Sequence, residues 1–417
     1  MANLKCDVLV IGAGASGLMC ALNAAERGLD VIILDPNSTP GRKLRITGKG
    51  RCNVTNACDV STVMKNIPGD GRFLYSALSR FSPEDVMAFF ESGGVPLKIE
   101  RGNRVFPVSD KADDIADFLV NRCTLSGVHF MRTTAKKLNC YGGKVRYVIT
   151  GDNREIDCSA AVICTGGLSY PLTGCDGSGY KLAATAGHSI VPTMPSLVPL
   201  ESPDSYCREL QGFAPKNVVL RAYEDNNLIY REQGELLFTH FGVSGPLVLS
   251  ASAHMRNMDK SSYRLEIDFK PALDEKKLDA RLLRDFDEYK NKEFRNVLPG
   301  LVGKSMIPVV IELSGIPGDT KANEITREQR VALRTLLKAF PVRISGKRPI
   351  AEAIITSGGV DTKEVNPRTM ESKLVSGLYF AGEVLNLDAY TGGFNLQIAW
   401  STGFVAGQSV LKGKEYE

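Results

Sequence analysis

Apolar residues in this chain cluster in short runs, and the switches in their period mark its elements. Val8–Ile11 is a continuous run of the kind a buried strand carries. A helical pattern follows to Arg27, and a second apolar run ends on Asp35. Further helices are predicted at Pro83–Glu91, with Ser82 at the cap and Pro83 in the first helical position, and at Asp113–Cys123. Val128–Met131, Lys144–Thr150 and Arg154–Asp157 read as short strands, with turns at Gly142-Gly143 and Gly151-Asp152. Ala160–Cys164 reads as a buried strand that stops at Thr165-Gly166-Gly167.

From about residue 190 the character changes. Pro192, Pro195, Pro199 and Pro203 mark a linker-like passage, and short β patterns run through Val218–Tyr223, Leu228–Arg231 and Leu236–Thr239. Between about 271 and 340 the pattern is charged and helical. Leu278, Leu282, Leu283 and Phe286 share one helix face, and Thr326–Phe340 repeats the arrangement with Thr326 as N-cap. Glycine-rich α/β character then returns, with Ile354–Gly359, Gly377–Gly382 and a helix from Phe394 to Leu411. A chain that starts and ends in one style predicts an α/β nucleotide-binding domain of residues 1–190 and 350–417. A β-rich substrate domain (191–270 and 341–349) and a helical subdomain (271–340) interrupt it.

Candidate chemistry begins at the first strand-to-helix turn, Gly12-Ala13-Gly14-Ala15-Ser16-Gly17. Gly12 permits the tight turn, Gly14 lets the backbone approach a pyrophosphate, and Gly17 lets the helix pack on the strand. The helix N-terminus offers free N–H groups and a partial positive charge to phosphates. Asp35 follows Gly17 by 18 residues, where a carboxylate accepts hydrogen bonds from a ribose. The turn therefore predicts a dinucleotide site. Next, Gly41–Asn53 carries five positive charges and no acid. Placed just after the ribose acid, it is expected to run along the pyrophosphate toward the redox end, which puts Arg42, Lys43, Gly48, Arg51, Cys52 and Asn53 in the cofactor set.

Thr165-Gly166-Gly167 resembles the step where a chain passes beneath a bound FAD. Gly377–Glu383 matches a second FAD fingerprint, a strand ending in Ala-Gly-Glu, whose acid (here Glu383, after Gly382) typically binds the ribityl chain. Tyr390–Gln397 then opens the last helix through Gly393, Asn395, Leu396 and Gln397. A helix N-terminus aimed at the flavin N1–C2=O edge stabilises negative charge there. This second half-site favours a resident FAD over a transient NAD.

Composition narrows the setting. At 417 residues with 43% hydrophobic and 24% charged content, the chain is an ordinary globular protein of two or three domains. A net charge of +4 gives no reason to propose nucleic acid or an anionic membrane as partner, and no apolar stretch is long enough to span a bilayer. The ten cysteines are scattered without a CxxC, which predicts reduced thiols in a cytoplasm. Gly300–Ser305 is similar to part of a phosphate loop, but position 298 is Leu where that loop needs its first glycine, so the match reads as coincidence.

The phrases GAGASGL, GRKLRITGKGRCNVTN, FTHFGVSGP, TSGGV and GLYFAGEVLNLDAYTGGFNLQIAWSTG together resemble the YhiN/BaiN-like family of NAD(P)/FAD-dependent oxidoreductases, over nearly the whole chain and in order. The resemblance implies a Rossmann-type, glutathione-reductase-like FAD domain built from both chain ends, with a β-rich and a small helical domain inserted. It places Ala135 with the cofactor-binding residues. It also carries two activities, oxidation of amines such as aminoacetone and reduction of conjugated ketones in bile-acid intermediates. The chain departs from the family's pattern at Asp35, more often Glu, and in Tyr170–Tyr180, where Cys175 and Asp176 stand in the usual YPxTGSTGDGY.

Two further features stay open at this level. Cys52 and Cys58 lie near where flavin disulfide reductases hold a redox pair, but five residues separate them instead of four, and Cys52 is better read as packing beside the flavin. His240, between two phenylalanines, is either a proton donor to substrate or a packed core residue, and Tyr390 is a second candidate donor. Only one complete dinucleotide fingerprint exists, so NAD(P)H is expected to enter transiently. The expected activity is reduction of an activated C=C bond in a small molecule. The rivals are an amine oxidase and a flavin-containing RNA-binding or RNA-modifying protein; the mild charge and the lack of a basic stripe beyond 42–51 count against the last.

Overall fold

Strand β1 (Leu4–Ile11) is continuous with the first apolar run, and Val8–Ile11 at its end are buried. In this computed structural model, which describes residues 4–411, β1 leads through the glycine turn into helix α1 (Ala15–Ala25) and strand β2 (Val31–Leu34). The same unit continues with helices α2 (Arg42–Gly50) and α3 (Ala112–Leu125), strands β3 (His129–Met131), β4 (Ala135–Tyr141), β5 (Lys144–Thr150) and β6 (Glu155–Ile163), and helix α4 (Ser178–Thr185). Strand β7 (Leu378–Phe380) and helix α5 (Phe394–Ser409) come from the far end of the chain.

The central sheet runs β3-β2-β1-β6-β5-β4, with β7 beside β6. Pairing is parallel from β3 to β6 and antiparallel through β5 and β4. Strands covered on both faces carry unbroken apolar runs, which accounts for Val8–Ile11, Val31–Leu34 and Ala160–Ile163. The two patterns at 154–157 and 160–164 are one strand, β6. Its first half pairs with β5, Tyr147 facing Asp157, and its second half with β7, Ala161 facing Leu378 and Ile163 facing Phe380. Because β1 occupies the other edge along the whole length, β5 and β7 share one edge of β6 end to end. The change from alternating to continuous apolar character within β6 follows that change of partner.

Helices α1 and α5 meet backbone to backbone. A methyl group at Gly403 would stand 2.4 Å from the Ser16 carbonyl oxygen, and one at Gly407 2.4 Å from that of Cys20. Over 41–56, where no regular element is predicted, α2 forms and is broken at Thr47–Lys49, with Gly48 and Lys49 left-handed. Helix Pro83–Ser92 has the predicted Ser82 cap, completed into a capping box by Asp85. Strand Ile190–Ser196 pairs antiparallel with Ile355–Val360 and belongs to this unit, which the chain leaves after Ser196 and re-enters at Ile350.

Leu197–Pro349 form the second unit. One four-stranded sheet joins Leu200–Glu201, Leu237–Thr239, Gly242–Ser244 and Gly346–Lys347; the other joins Val218–Glu224, Asn227–Gly234, Tyr263–Asp268 and Phe340–Ile344. Helices Glu275–Glu288 and Arg327–Lys338 bury Leu278, Leu282, Leu333 and Leu337 in the same core as Leu265 and Phe340 from the strands. Among the described residues no helix is long and apolar enough to cross a membrane, and no group of His, Cys, Asp or Glu could hold a metal ion.

Candidate cofactor site

The glycine turn has distinct constraints at each of its three glycines. Gly12 has φ +106°, and a methyl there would stand 2.5 Å from the Cys164 carbonyl oxygen. At Gly17 a methyl would be 1.9 Å from the Gly12 oxygen, so the turn closes only on glycine. Gly14 is different: its backbone is extended and nothing lies within 4 Å of where a Cβ would stand. The polypeptide itself does not demand a glycine there, and the open space lies at the start of α1. No side chain caps that helix and no acid lies in its first turn. Its N–H groups and dipole are therefore available to an anion. Asp35 is locked at the same edge. Its Oδ2 accepts from the Ala13 N–H at 2.7 Å, and its Oδ1 accepts from the Asn37 backbone and side-chain amides at 2.8 and 2.9 Å.

Of the five cations in the basic segment, three are engaged by acids. Arg45 bridges Asp113 and Asp117 on α3, and Arg51 lies between Glu100 and Asp110 with its guanidinium 4.2 Å from the centre of the Phe106 ring. Lys43 turns inward. Its Nζ donates to Glu383 Oε2 at 2.6 Å and to Ser169 Oγ at 2.7 Å. Burial pulls its ammonium pKa down, but the Glu383 carboxylate more than offsets this, leaving it above the ordinary lysine value. Arg42 donates to Asn37 Oδ1 at 3.2 Å, within the Asp35 network. Gly48 forms the break in α2, and Cys52 is buried behind it with φ +58°, its N–H donating to the Thr47 carbonyl. Burial pushes the Cys52 thiol up to about 12 and the Cys58 thiol up to about 11; both are free. A dithiol pair that reduces disulfides needs an accessible thiolate, and neither cysteine supplies one.

The chain's other end completes the cluster. Ser16 Oγ donates to the Ala381 carbonyl at 3.2 Å, and a methyl at Gly382 would stand 2.4 Å from Ser16 Oγ, so the two fingerprints touch. Glu383 Oε1 accepts from Ser169 Oγ (3.0 Å) and the Thr356 N–H (2.9 Å), while Thr356 Oγ1 accepts from the Leu168 and Ser169 N–H groups. Gly167 has no room for a side chain between Thr356 and Glu383. Just before it, past the positive-φ Gly166, Thr165 Oγ1 is buried without a hydrogen-bond partner, as is Tyr180 OH on α4. Thr356 and Ser169 are not among the residues expected from sequence; Thr356 opens the TSGGV phrase, to which no role is attached there, and Ser169 directly precedes Tyr170-Pro171.

Helix α5 begins at Gly393, left-handed at φ +98°, with no side-chain cap and no acid in its first turn. The side chains predicted to serve the cofactor there face the protein. Asn395 clamps the Ala389 backbone through both amide atoms at 2.8 Å, and Gln397 is held by Thr55, Phe81 and Ser401. Asn53, oriented to satisfy both ends of its amide, accepts from the Gly393 N–H at 2.9 Å. Leu396 is half-buried, and the Tyr390 N–H donates to the Asn66 carbonyl. Ala135 is buried at the start of β4, facing Thr150. His240 lies in the second unit, in the exposed turn between Leu237–Thr239 and Gly242–Ser244, with its ring edge-on to Phe241 at 5.0 Å. It is no packed core residue.

This arrangement fits FAD. The open space at Gly14, two uncapped helix N-termini contributed by opposite ends of the chain, and the orphaned Thr165 hydroxyl are what an extended dinucleotide with two half-sites requires. Comparison with known proteins decides the family: the HI0933-like protein Rossmann domain matches residues 6–409. The chain belongs to the HI0933-like Rossmann family. Among its relatives are a ribosomal RNA dihydrouridine synthase of Escherichia coli, 32% identical with 98% of each chain covered, and a 3-dehydro-bile acid delta(4,6)-reductase of Clostridium scindens, 31% identical with 97% of this chain and 98% of that one covered. The fold is similar to that of the 3-ketosteroid delta1-dehydrogenase from Sterolibacterium denitrificans (TM-score 0.53, 12% identity, 98% and 99% covered). A quinol-fumarate reductase gives TM-score 0.52 at 14% identity, over 100% of this chain and 73% of that one. Like other HI0933-like proteins, this chain is an FAD-dependent oxidoreductase.

Proposed function

We propose that this enzyme reduces a carbon–carbon double bond conjugated to a carbonyl, with NAD(P)H as transient electron donor. The observation that carries the reading is the agreement in reaction type between two full-length relatives with unlike substrates. Making a dihydrouridine adds two hydrogens across the uracil C5=C6 bond, conjugated to C4=O; a delta(4,6)-reductase acting on a 3-oxo bile acid adds them across an enone. An amine oxidase has no counterpart among these two.

FAD, when bound, supplies hydride transfer. The chain's own residues bind and orient it. The α1 N-terminus and Gly14 would take the pyrophosphate, Asp35 and Asn37 the ribose edge, and Thr165 with the Lys43–Glu383–Ser169 cluster the middle of the molecule. The uncapped start of α5 would offer a partial positive charge to the electron-rich edge of a bound flavin. Reduction also needs one proton delivered to the substrate carbon beside the carbonyl; His240 and Tyr390 are the candidate donors.

The test is anaerobic rapid mixing of the purified yellow protein. NAD(P)H is expected to bleach it, and a 3-oxo-4-ene steroid or a uridine-containing ribosomal RNA fragment to restore the colour with a product two hydrogens heavier. Bleaching by small amines and not by NAD(P)H would overturn the proposal. Which of the two acceptors restores the colour decides between a small-molecule and an RNA substrate.

A further inference from the structure

The segment Gly300–Ser305, whose likeness to a phosphate loop reads as accidental in sequence, lies in the second unit, where Gly300–Gly303 but not Lys304 or Ser305 line a cleft of about 360 Å³. Phe213, Lys216, Phe269 and Lys270 line it as well, and no acidic residue does. The aromatic side is ordered. Phe213 stacks on Phe238 (6.1 Å, 24°) and is tilted against Phe269 at 6.3 Å, while Gly303 comes so close that a methyl there would stand 2.9 Å from the Phe213 ring. Neither Lys216 nor Lys270 forms an ion pair among the described residues, although the acids nearby do: Asp268 is taken by Lys338 at 2.6 Å and Asp285 by Arg281 at 2.7 Å. Lys270 is half-buried, and burial followed by repulsion from Arg281 holds its ammonium below the ordinary lysine value. A bound anion would relieve both penalties.

Two lysines without an ion-pair partner, beside phenylalanine rings and a glycine-bearing backbone, are the elements that hold a nucleotide, phosphate at the ammonium groups and base against the ring. We infer that this cleft is a nucleotide-binding site, taking a phosphate between Lys216 and Lys270 and a base against Phe213. The same chemistry is offered by one unit of a single-stranded RNA and by a free mononucleotide. The inference does not rest on the reaction proposed above, because it concerns binding alone.

The experiment uses the full-length FAD-loaded protein with two probes, a fluorescent oligouridylate and AMP. They are titrated against wild type, Lys216→Gln, the double variant Lys216→Gln/Lys270→Gln, and Lys276→Gln as a control on an exposed helix outside the cleft. The flavin spectrum reports folding. The oligonucleotide is expected to bind wild type and the control alike. The double variant should bind roughly ten-fold more weakly, with a salt dependence shallower by about 1.4, at about 0.7 for each lysine–phosphate pairing removed. Loss of oligonucleotide binding with little AMP binding identifies RNA as the source. Equal, lysine-dependent binding of AMP identifies a free nucleotide. Wild-type binding by the double variant, or binding of neither probe, overturns the inference.

Discussion

Replacing Gly403 by alanine should release FAD although residue 403 belongs to neither fingerprint turn. The added methyl would stand 2.4 Å from the Ser16 carbonyl oxygen, 3.0 Å from its Cα and 3.1 Å from its carbonyl carbon. Ordinary contact begins near 3.4 Å, so α1 and α5 must separate by about 1 Å, and all three partner atoms are backbone. Overpacking of this kind costs about 1–3 kcal/mol. The larger consequence falls on the cofactor, since Ser16 and Gly17 form the start of α1. A shift of about 1 Å takes an N–H···O bond of about 2.9 Å beyond hydrogen-bonding range. Each charge-assisted bond broken there is worth about 1.5–3 kcal/mol, or roughly 10- to 150-fold in Kd. The assay is FAD retention through gel filtration, followed by titration of FAD into stripped protein with flavin fluorescence as readout. Gly403→Ala protein that keeps FAD with wild-type affinity would refute the argument that close helix approach sets the geometry of the phosphate turn.

Gly14→Leu is the complementary case. Nothing in the polypeptide lies within 4 Å of where its Cβ would stand, so FAD-free protein should melt like wild type while FAD binding is abolished; a drop in the melting temperature of the stripped variant would count against a ligand cradle. Lys43→Met leaves the Glu383 carboxylate, 12% exposed, without its cation; breaking such a pair costs about 3–5 kcal/mol, read by urea unfolding, and the double variant Lys43→Met/Glu383→Leu should recover part of it. Because the Lys43 pKa is raised on folding, its contribution is complete at neutral pH and is lost only as the pH climbs past the lysine range. His188 behaves oppositely. Its ring, 0% exposed, bridges Glu364 (3.0 Å) and Ser372 (2.8 Å), and burial lowers its pKa below 6.5 despite the carboxylate. Stability should therefore decline as the pH falls below about 6.5, and His188→Gln should flatten that limb of the melting profile.

Sequence reading reached furthest where one residue type answers one steric demand. Gly12 and Gly17 could be assigned because nothing larger fits, and the Ser82 and Thr326 caps because their partners lie three residues on. It fell short where a residue's role depends on who arrives from elsewhere in the chain. The charges of Arg45 and Arg51 look free in sequence and are spent on Asp113, Asp117, Glu100 and Asp110. Asn395 and Gln397 carry ligand-binding chemistry, yet their amides brace the backbone around α5. Arg154–Asp157 and Ala160–Cys164 read as two strands in sequence, but they are one, β6, whose change of pattern coincides with its change of neighbour. Net charge is silent on placement. A total of +4 conceals Lys216 and Lys270 standing together in one cleft without an acid, because charge balance over a chain says nothing about where the compensating acids are already engaged.

The shared edge of β6 also sets an order of events during synthesis. Glu155–Asp157 find β5 within a few residues, but Ala161–Ile163 wait for Leu378–Phe380, roughly 200 residues later. At about 5–20 residues per second that is roughly 10–40 s during which half of a central strand presents an unpaired, wholly apolar edge. The second unit is translated in that interval, and the flavin pocket has no far wall until it ends. Cofactor loading is thus tied to completion of the chain, and any truncation before residue 380 leaves both an open sheet edge and an apoprotein.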